Sequence, residues 1–427
     1  SLSFIVFWIL ALIIHRFSFF NSVGFVGIVG LLFYSFQGWQ NTLALITVAI
    51  TCYFFSRVRK YFIIFSIIIF TPLFLFKYLE VLYFFKIDIA PFLITNFIDA
   101  PVPPGLSFAT FSAFALLVIF KKNYEKNYSS LKTIFGYLFF FPQLIAGPIV
   151  MPKSLIPQLK KFNPTNLKSL FFGIFIFSIG FAIKAILADS IAQYVDPVFS
   201  NLKNEKADTI VISILLFSQQ IFFDFNGYTL MAIGIAYSFG ITLPENFNAP
   251  YLSTSISDFW KKWHITLSNW IRDFIYIPLG GSKCSDSKHY LNLMIAMLMS
   301  GLWHGYGLTF LLWGFLHGSF IIFEKIFNFN FVPKLLKIVA TYLLITFLWT
   351  FFRVTDLKDL YLIFNSFDAN FIVNYKILFV FIGCLFFNYL QKFLTISFLK
   401  NAFKNSNKSI LITVSVFLII FCIILSD

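Results

Sequence analysis

Three histidines near the middle of the chain have the type and surroundings needed for chemistry. His264 follows a polar and aromatic stretch, whereas His304 and His317 each lie in a Gly-x-x-His-Gly pattern, at 301–305 and 314–318. Glycines four residues apart let a neighbouring helix or a substrate approach the backbone closely. An imidazole in such a dry, narrow place can act as a general base for a hydroxyl or a thiol.

A metal centre is the alternative use of these histidines. Thirteen residues along one continuous helix separate two side chains by about 20 Å of rise and about 220° of rotation. His304 and His317 could therefore share an ion only if the helix breaks between them. His264 has no further Cys, His or carboxylate at ligand spacing beside it. The sequence favours acid-base chemistry without a metal, and it lacks nucleophile-elbow, Walker and dinucleotide-binding motifs.

Two polar residues, Asp224 and Asn226, lie within an otherwise apolar helical stretch at 222–228. In a membrane such residues cost a few kcal/mol unless they are paired. They are therefore expected either to shape a reaction chamber or to make a structural hydrogen bond, and the sequence leaves both interpretations open.

Residues 255–277 have the spacing of one amphipathic helix. Apolar residues recur at intervals of three and four, and the charged residues fall on other faces. Ser255 with Asp258 predicts a capping-box start, and Pro278 followed by two glycines predicts the stop. His264 lies on the apolar stripe. Taken alone, it is more simply a hydrogen-bonded core histidine than an acid-base residue.

The elements that position these residues are predicted to be membrane helices. The chain has 427 residues, of which 59% are hydrophobic and 12% charged, with a mean hydropathy of +0.85, far from the mix of soluble domains. Twelve apolar runs lie near 3–20, 22–36, 40–55, 61–85, 105–120, 131–150, 168–192, 208–241, 291–323, 335–352, 371–391 and 409–426. About eleven membrane spans are expected from them. The first run lacks the basic start of a signal peptide and is expected to be a retained helix.

The net charge of +14 comes from Lys and Arg in short loops between apolar runs. This is the usual place of cytoplasmic flanks, so nucleic-acid binding is not expected. The four cysteines are scattered singly, three of them in apolar segments, which predicts lipid-buried thiols rather than a metal site. Pro and Gly interrupt the apolar pattern at 101–105 and 141–148, where broken helices around a cavity or simple interfacial turns are expected. One membrane domain, 1–427, is the simplest description.

Several long motifs together resemble the membrane-bound O-acyltransferase (MBOAT) family, in the bacterial branch that acetylates alginate or peptidoglycan or transfers D-alanine to teichoic acid. They occur in family order over about 100 residues around a core at about 222–318, with further similarity at 140–148 and 349–353. The core motifs are residues 223–228, 243–251, 255–268, 272–281 and 301–305.

The resemblance implies roles for individual residues. It makes His304 the catalytic histidine of a central tunnel. His264 takes the position of the second signature polar residue and is expected to be catalytic as well. Other residues are implied to support the tunnel or bind substrate: Asp224, Asn226, Asp258, Trp263, Arg272, Asp273, Trp303 and His317.

The resemblance also implies an all-α polytopic fold, with about eleven transmembrane helices and re-entrant or interfacial helices around the tunnel. The expected activity is transfer of acetyl from cytoplasmic acetyl-CoA, as a substrate rather than a bound cofactor, across the bacterial inner membrane to an envelope polysaccharide. Peptidoglycan is the first choice, with alginate, another exopolysaccharide or D-alanylation as alternatives. A transporter or flippase of an acylated carrier is a different class. Because no soluble domain fits between the spans, a separate extracytoplasmic esterase-like partner is expected to complete the transfer.

Overall fold

A computed structural model describes most of the chain. The described residues are 2–16, 23–79, 102–122, 128–144, 147–161, 166–305, 307–327, 329, 331–367 and 373–426. Pro101 and residues 145–146 of the two Pro- and Gly-rich segments lie outside them, as do parts of several predicted spans.

The described elements are helices. The α-helices are α1 Leu2–Arg16, α2 Val23–Ser35, α3 Trp39–Val58, α4 Phe62–Lys77, α5 Leu106–Lys121, α6 Leu131–Leu138, α7 Phe141–Leu144, α8 Pro152–Lys160, α9 Leu167–Ala182, α10 Asp189–Ser200, α11 Ala207–Ser238, α12 Ile256–Trp260, α13 Ile265–Ile271, α14 Asp286–His304, α15 Leu308–Ile326, α16 Lys334–Arg353, α17 Leu357–Asn365, α18 Tyr375–Leu390, α19 Ile396–Asn405 and α20 Lys408–Ser426. Two π-helical turns, Ile183–Ala188 and Arg272–Tyr276, continue α9 and α13.

Among the described residues, seven helical segments are long and apolar enough to cross a membrane. Four shorter apolar helices, α1, α2, α4 and α5, accompany them. The predicted all-α, multi-pass membrane architecture is thereby confirmed.

Three predicted runs are interrupted in the structure. The run 131–150 forms the short helices α6 and α7 rather than one span, because Pro142 has no N–H to donate to the carbonyl of Leu138, where α6 ends. This break adjoins the Pro- and Gly-rich segment 141–148, where broken helices or interfacial turns were expected. The run 291–323 is two helices, α14 and α15, which end and restart around Gly305 and Gly307. The amphipathic stretch 255–277 is divided into α12, α13 and a π-helical turn.

The chain divides into two compact units. The first comprises Ser1–Phe177 and Thr229–Pro244, and the second comprises Ser178–Tyr228 and Glu245–Asp427. In the first unit, glycines allow close helix packing: a Cβ on Gly234 would lie 2.6 Å from the carbonyl oxygen of Gly173. The second unit contains every residue implied to form the site.

Candidate active site

A tight helical hairpin in the second unit carries two of the candidate histidines. His304 is the last residue of α14, and His317 lies in the middle of α15. The backbones pack closely because a Cβ on Gly314 would lie 2.5 Å from the carbonyl oxygen of Met297, and one on Gly301 would collide with the carbonyl oxygen of Phe310. The close approach predicted from the glycine spacing is confirmed.

Histidine and tryptophan rings alternate through the centre of this unit. Trp303 contacts both His264 and His304, with ring centroids 5.8 and 4.6 Å away. Trp313 likewise contacts both His304 and His317, at 5.3 and 4.7 Å. We call these five residues the His-Trp row. It brings the three predicted histidines into one site, in which each indole contacts two imidazoles.

The two outer histidines of the row are buried, whereas the central one is half-buried. His264 is 1% exposed and His317 is 0% exposed. His304 lies against Phe352 of α16, at 4.8 Å between ring centroids, but keeps part of its surface accessible. His304 is therefore the histidine of the row that a substrate reaches most directly.

His264 has an unusual backbone conformation. His264 precedes the first residue of α13 with φ 43° and ψ 52°, a left-handed conformation that is uncommon for a residue with a Cβ. This residue ends the turn after α12, so the predicted single helix cannot continue through it. The buried position predicted from the apolar stripe is confirmed, although the helix that predicted it is interrupted.

The loop before α12 holds this strained residue in place. The amide of Ile265 donates to the carbonyl of Asn246 at 3.0 Å, and the amide of Asn248 donates to the carbonyl of Lys262 at 3.0 Å. The Asn246 side-chain oxygen accepts bonds from the amide and hydroxyl of Thr266, at 3.2 and 2.6 Å. The same oxygen lies 3.4 Å from Nδ1 of His264.

His317 is fixed by an indole from α12. Nε1 of Trp260 donates to Nδ1 of His317 at 3.2 Å. Within the described part of the chain, Nε2 of His317 is buried without a hydrogen-bond partner.

Two carboxylates hold α12 in position. Glu324 of α15 accepts from the amides of Ile256 and Ser257 at 2.6 and 3.2 Å. Asp258 accepts from the amide of Thr254 and pairs with Lys262 at 2.8 Å, while its own amide donates to Ser255. The predicted Ser255 cap is thus confirmed, although Asp258 accepts from the amide of Thr254 rather than from that of Ser255.

The other predicted supporting residues differ in their burial and in the side chains that they contact. Trp263 is 4% exposed, and its ring centroid is 4.9 Å from that of Trp349 in the aromatic core. Asn226 is buried, and the neighbouring Phe225 contacts His264 with 4.7 Å between ring centroids. Arg272 and Asp273 instead form an ion pair with each other at 2.8 Å, with exposed side-chain fractions of 54% and 34%.

Asp224 belongs to a charged cluster rather than to the row of rings. Lys184, in the π-helical turn Ile183–Ala188, pairs with Asp224 at 2.9 Å and with Asp189. The ring of Tyr228 lies 5.6 Å from the same ammonium group. One cation thus serves two carboxylates within helices long enough to span a membrane.

Replacing Lys184 with methionine is expected to lower the free energy of unfolding by about 1 to 2 kcal/mol. The two carboxylates would lose their shared cation, and the value lies between those of exposed and buried ion pairs. Thermal unfolding in detergent measures it, and Lys334→Met, at an exposed position, is the control.

Adding Asp224→Asn to Lys184→Met should recover part of the loss, because one uncompensated charge is then removed. Equal unfolding midpoints for Lys184→Met, Lys334→Met and the unchanged protein would contradict the role of the cluster.

The helix break changes the geometric argument about a metal. His304 and His317 are not on one continuous helix, so the separation calculated for such a helix does not apply. In the structure Trp313 contacts both imidazoles. Among the described residues, no group of three or more His, Cys, Asp or Glu side chains could hold a metal ion.

Sequence reasoning missed two residues of this site. Asn246 lies in the motif 243–251, and Glu324 lies near the end of α15; neither was assigned a role. An amide within a conspicuous motif was a detectable signal for Asn246. Glu324 had a weaker signal, an acidic residue in an apolar helix, and its partner is known only from the folded structure.

The fold and the row of rings define an all-helical, multi-pass membrane protein with a buried histidine site. The chain belongs to the MBOAT, membrane-bound O-acyltransferase family, which matches residues 31–356.

Three relatives illustrate the range of the family. The chain is 41% identical to a peptidoglycan O-acetyltransferase of Helicobacter pylori over 52% of this chain and 44% of the relative. It is 36% identical to a probable alginate O-acetylase AlgI of Pseudomonas aeruginosa over 63% of this chain and 51% of the relative. It is 28% identical to a teichoic acid D-alanyltransferase of Bacillus subtilis over 52% of this chain and 59% of the relative. The matches thus cover about half of each relative's length.

Proposed function

We propose that this chain is an O-acyltransferase that moves acetyl from cytoplasmic acetyl-CoA across the inner membrane for O-acetylation of an envelope polysaccharide. The observation that carries this proposal is the half-buried His304 at the centre of the His-Trp row. The names of the two relatives above 35% identity support acetyl as the group transferred. Peptidoglycan is our first choice of acceptor, and alginate is the alternative.

His304 acts as the general base in this proposal. The imidazole removes the proton of the accepting hydroxyl, whose oxygen attacks the acetyl carbonyl carbon. The new ester C–O bond forms as the thioester C–S bond breaks, and the proton passes from the imidazole to the departing thiolate. A transient acyl-histidine is the alternative path. This hydroxyl is the first acceptor and not that of the polymer. A separate extracytoplasmic esterase-like partner completes delivery: a sugar hydroxyl attacks the first ester, the new sugar ester forms, and the first hydroxyl is released with the proton.

The donor is tested with purified protein in lipid vesicles. Labelled acetyl-CoA is supplied on one side and a peptidoglycan fragment, with the partner enzyme, on the other. We expect label to reach the fragment only when all components are present. The matched reaction supplies a D-alanyl carrier protein instead of acetyl-CoA.

Two other outcomes of this experiment would each favour one of the alternatives. Transfer of D-alanine without acetyl would replace our proposal by the D-alanylation alternative. Movement of an intact acylated carrier, without transfer of the acyl group, would indicate a transporter or flippase.

A further inference from the structure

We infer that Asn246 and Trp260 are positioning residues that hold His264 and His317 in opposite tautomers. His264 then has its proton on Nδ1 and its lone pair on Nε2, whereas His317 has its proton on Nε2. This inference deepens the proposed function, on which its catalytic meaning rests, by giving the two outer histidines of the row different chemical capacities.

The orientation of the Asn246 amide follows from its partner. A backbone N–H can only donate, so the group of Asn246 that faces the amide of Thr266 at 3.2 Å must be the oxygen. The amide nitrogen in that place would set two donors against each other. Asn246 is 0% exposed, so water cannot relieve such a conflict.

The tautomer of His264 follows from the orientation of that amide. Its Nδ1 lies 3.4 Å from an oxygen that has no proton to give. The contact is attractive only when Nδ1 carries the proton. Burial lowers the pKa of His264 to about 3, so the ring is neutral at pH 7 and Nε2 carries the lone pair.

The opposite argument applies to His317. An indole N–H can only donate, and Nε1 of Trp260 points at Nδ1 of His317 at 3.2 Å. Nδ1 therefore carries the lone pair, and the proton of the neutral ring is on Nε2. In the described residues that Nε2 is buried without a protein acceptor, so its N–H can donate to a bound acyl or carboxyl oxygen.

Anchors outside the row make these orientations rigid. Glu245, next to Asn246, accepts backbone hydrogen bonds from Ile396 and Ser397 at the start of α19. Glu324 holds the first turn of α12, which carries Trp260 four residues later. A side chain that sets a tautomer needs such support, because a loose partner would permit both ring states.

Nitrogen NMR of the full chain with labelled histidine tests the inference without requiring activity. The chain has five histidines, and single replacements assign His264 and His317. We expect the unprotonated ring nitrogen to be Nε2 in His264 and Nδ1 in His317. The same unprotonated nitrogen in both residues, or the reverse assignment, would overturn the inference.

Variants then test whether the two partners set these states. Asn246→Leu should leave His264 as a mixture of tautomers and lower transfer by about 10²- to 10⁴-fold, the range of acid-base contributions. Asn246→Asp keeps an acceptor oxygen and should preserve the Nδ1–H form. Trp260→Phe should remove the preference at His317.

Asn248→Leu is the matched control, since its exposed side chain lies two residues from Asn246 in the same loop and the replacement keeps the backbone amide that bonds Lys262. It should change neither the spectrum nor the rate. An unchanged His264 spectrum in Asn246→Leu would overturn the positioning role, as would a changed spectrum with an unchanged rate. The expected spectra together with no acetyl transfer would refute the proposed function and leave the tautomer assignment standing.

Discussion

Replacing His304 with alanine is expected to lower acetyl transfer by about 10²- to 10⁴-fold, the usual contribution of a positioned general base. The residue ends α14 and is the accessible histidine of the His-Trp row. Its neighbours, Trp303 and Trp313, carry N–H donors only and cannot take over as a base. The measurement is the initial rate of label transfer from acetyl-CoA by purified protein.

A matched replacement on the same helix separates chemistry from folding. His289 lies in the first turn of α14, away from the row, with its ring against Tyr276 and Tyr290. His289→Ala should retain the rate of the unchanged protein, and both variants should elute and unfold like it. Full transfer by a folded His304→Ala variant would refute the base role.

Replacing Gly314 with alanine is expected to destabilise the α14–α15 hairpin by roughly 1 to 3 kcal/mol, the usual cost of overpacking. The new Cβ would lie 2.5 Å from the carbonyl oxygen of Met297 and 3.2 Å from the Cα of Leu298, so the two backbones must separate. Because that hairpin carries both His304 and His317, transfer should fall together with the unfolding temperature.

Gly383→Ala in α18 is the control for this replacement. A Cβ there would meet nothing within 4 Å, and alanine favours a helix over glycine by roughly 0.5 to 1 kcal/mol. The control should therefore leave the unfolding temperature unchanged or raise it. An unfolding temperature in Gly314→Ala as high as in Gly383→Ala would show that the hairpin tolerates the added methyl group.

Composition and hydropathy were sufficient to predict the membrane architecture, because apolar length is a direct requirement of crossing a bilayer. Local periodicity also predicted the burial of His264 and the start of α12. The same periodicity could not reveal the left-handed residue at His264, since apolar spacing continues on both sides of the break. The turn between α14 and α15 was hidden for a related reason, as glycines and aromatic residues keep the run apolar.

The contacts between distant parts of the chain were beyond the sequence. The bond of Trp260 to His317 joins residues 57 positions apart, and Glu324 reaches Ile256 across 68 positions. Spacing along one helix cannot anticipate such partners. The functional roles of the predicted residues remain predictions, and the variants described above test the principal ones.

The loop before α12, which holds His264, is also bonded to a late part of the chain. The amide of Tyr251, in the loop that leads to α12, donates to the side-chain oxygen of Gln391 at 3.2 Å, across 140 positions. At a synthesis rate of about 5 to 20 residues per second, roughly 7 to 28 s pass before that partner exists. Until then the backbone amide of Tyr251 lacks its native acceptor, the side-chain oxygen of Gln391. Nascent chains arrested before α18 should expose this loop to a protease, and chains arrested after α19 should protect it.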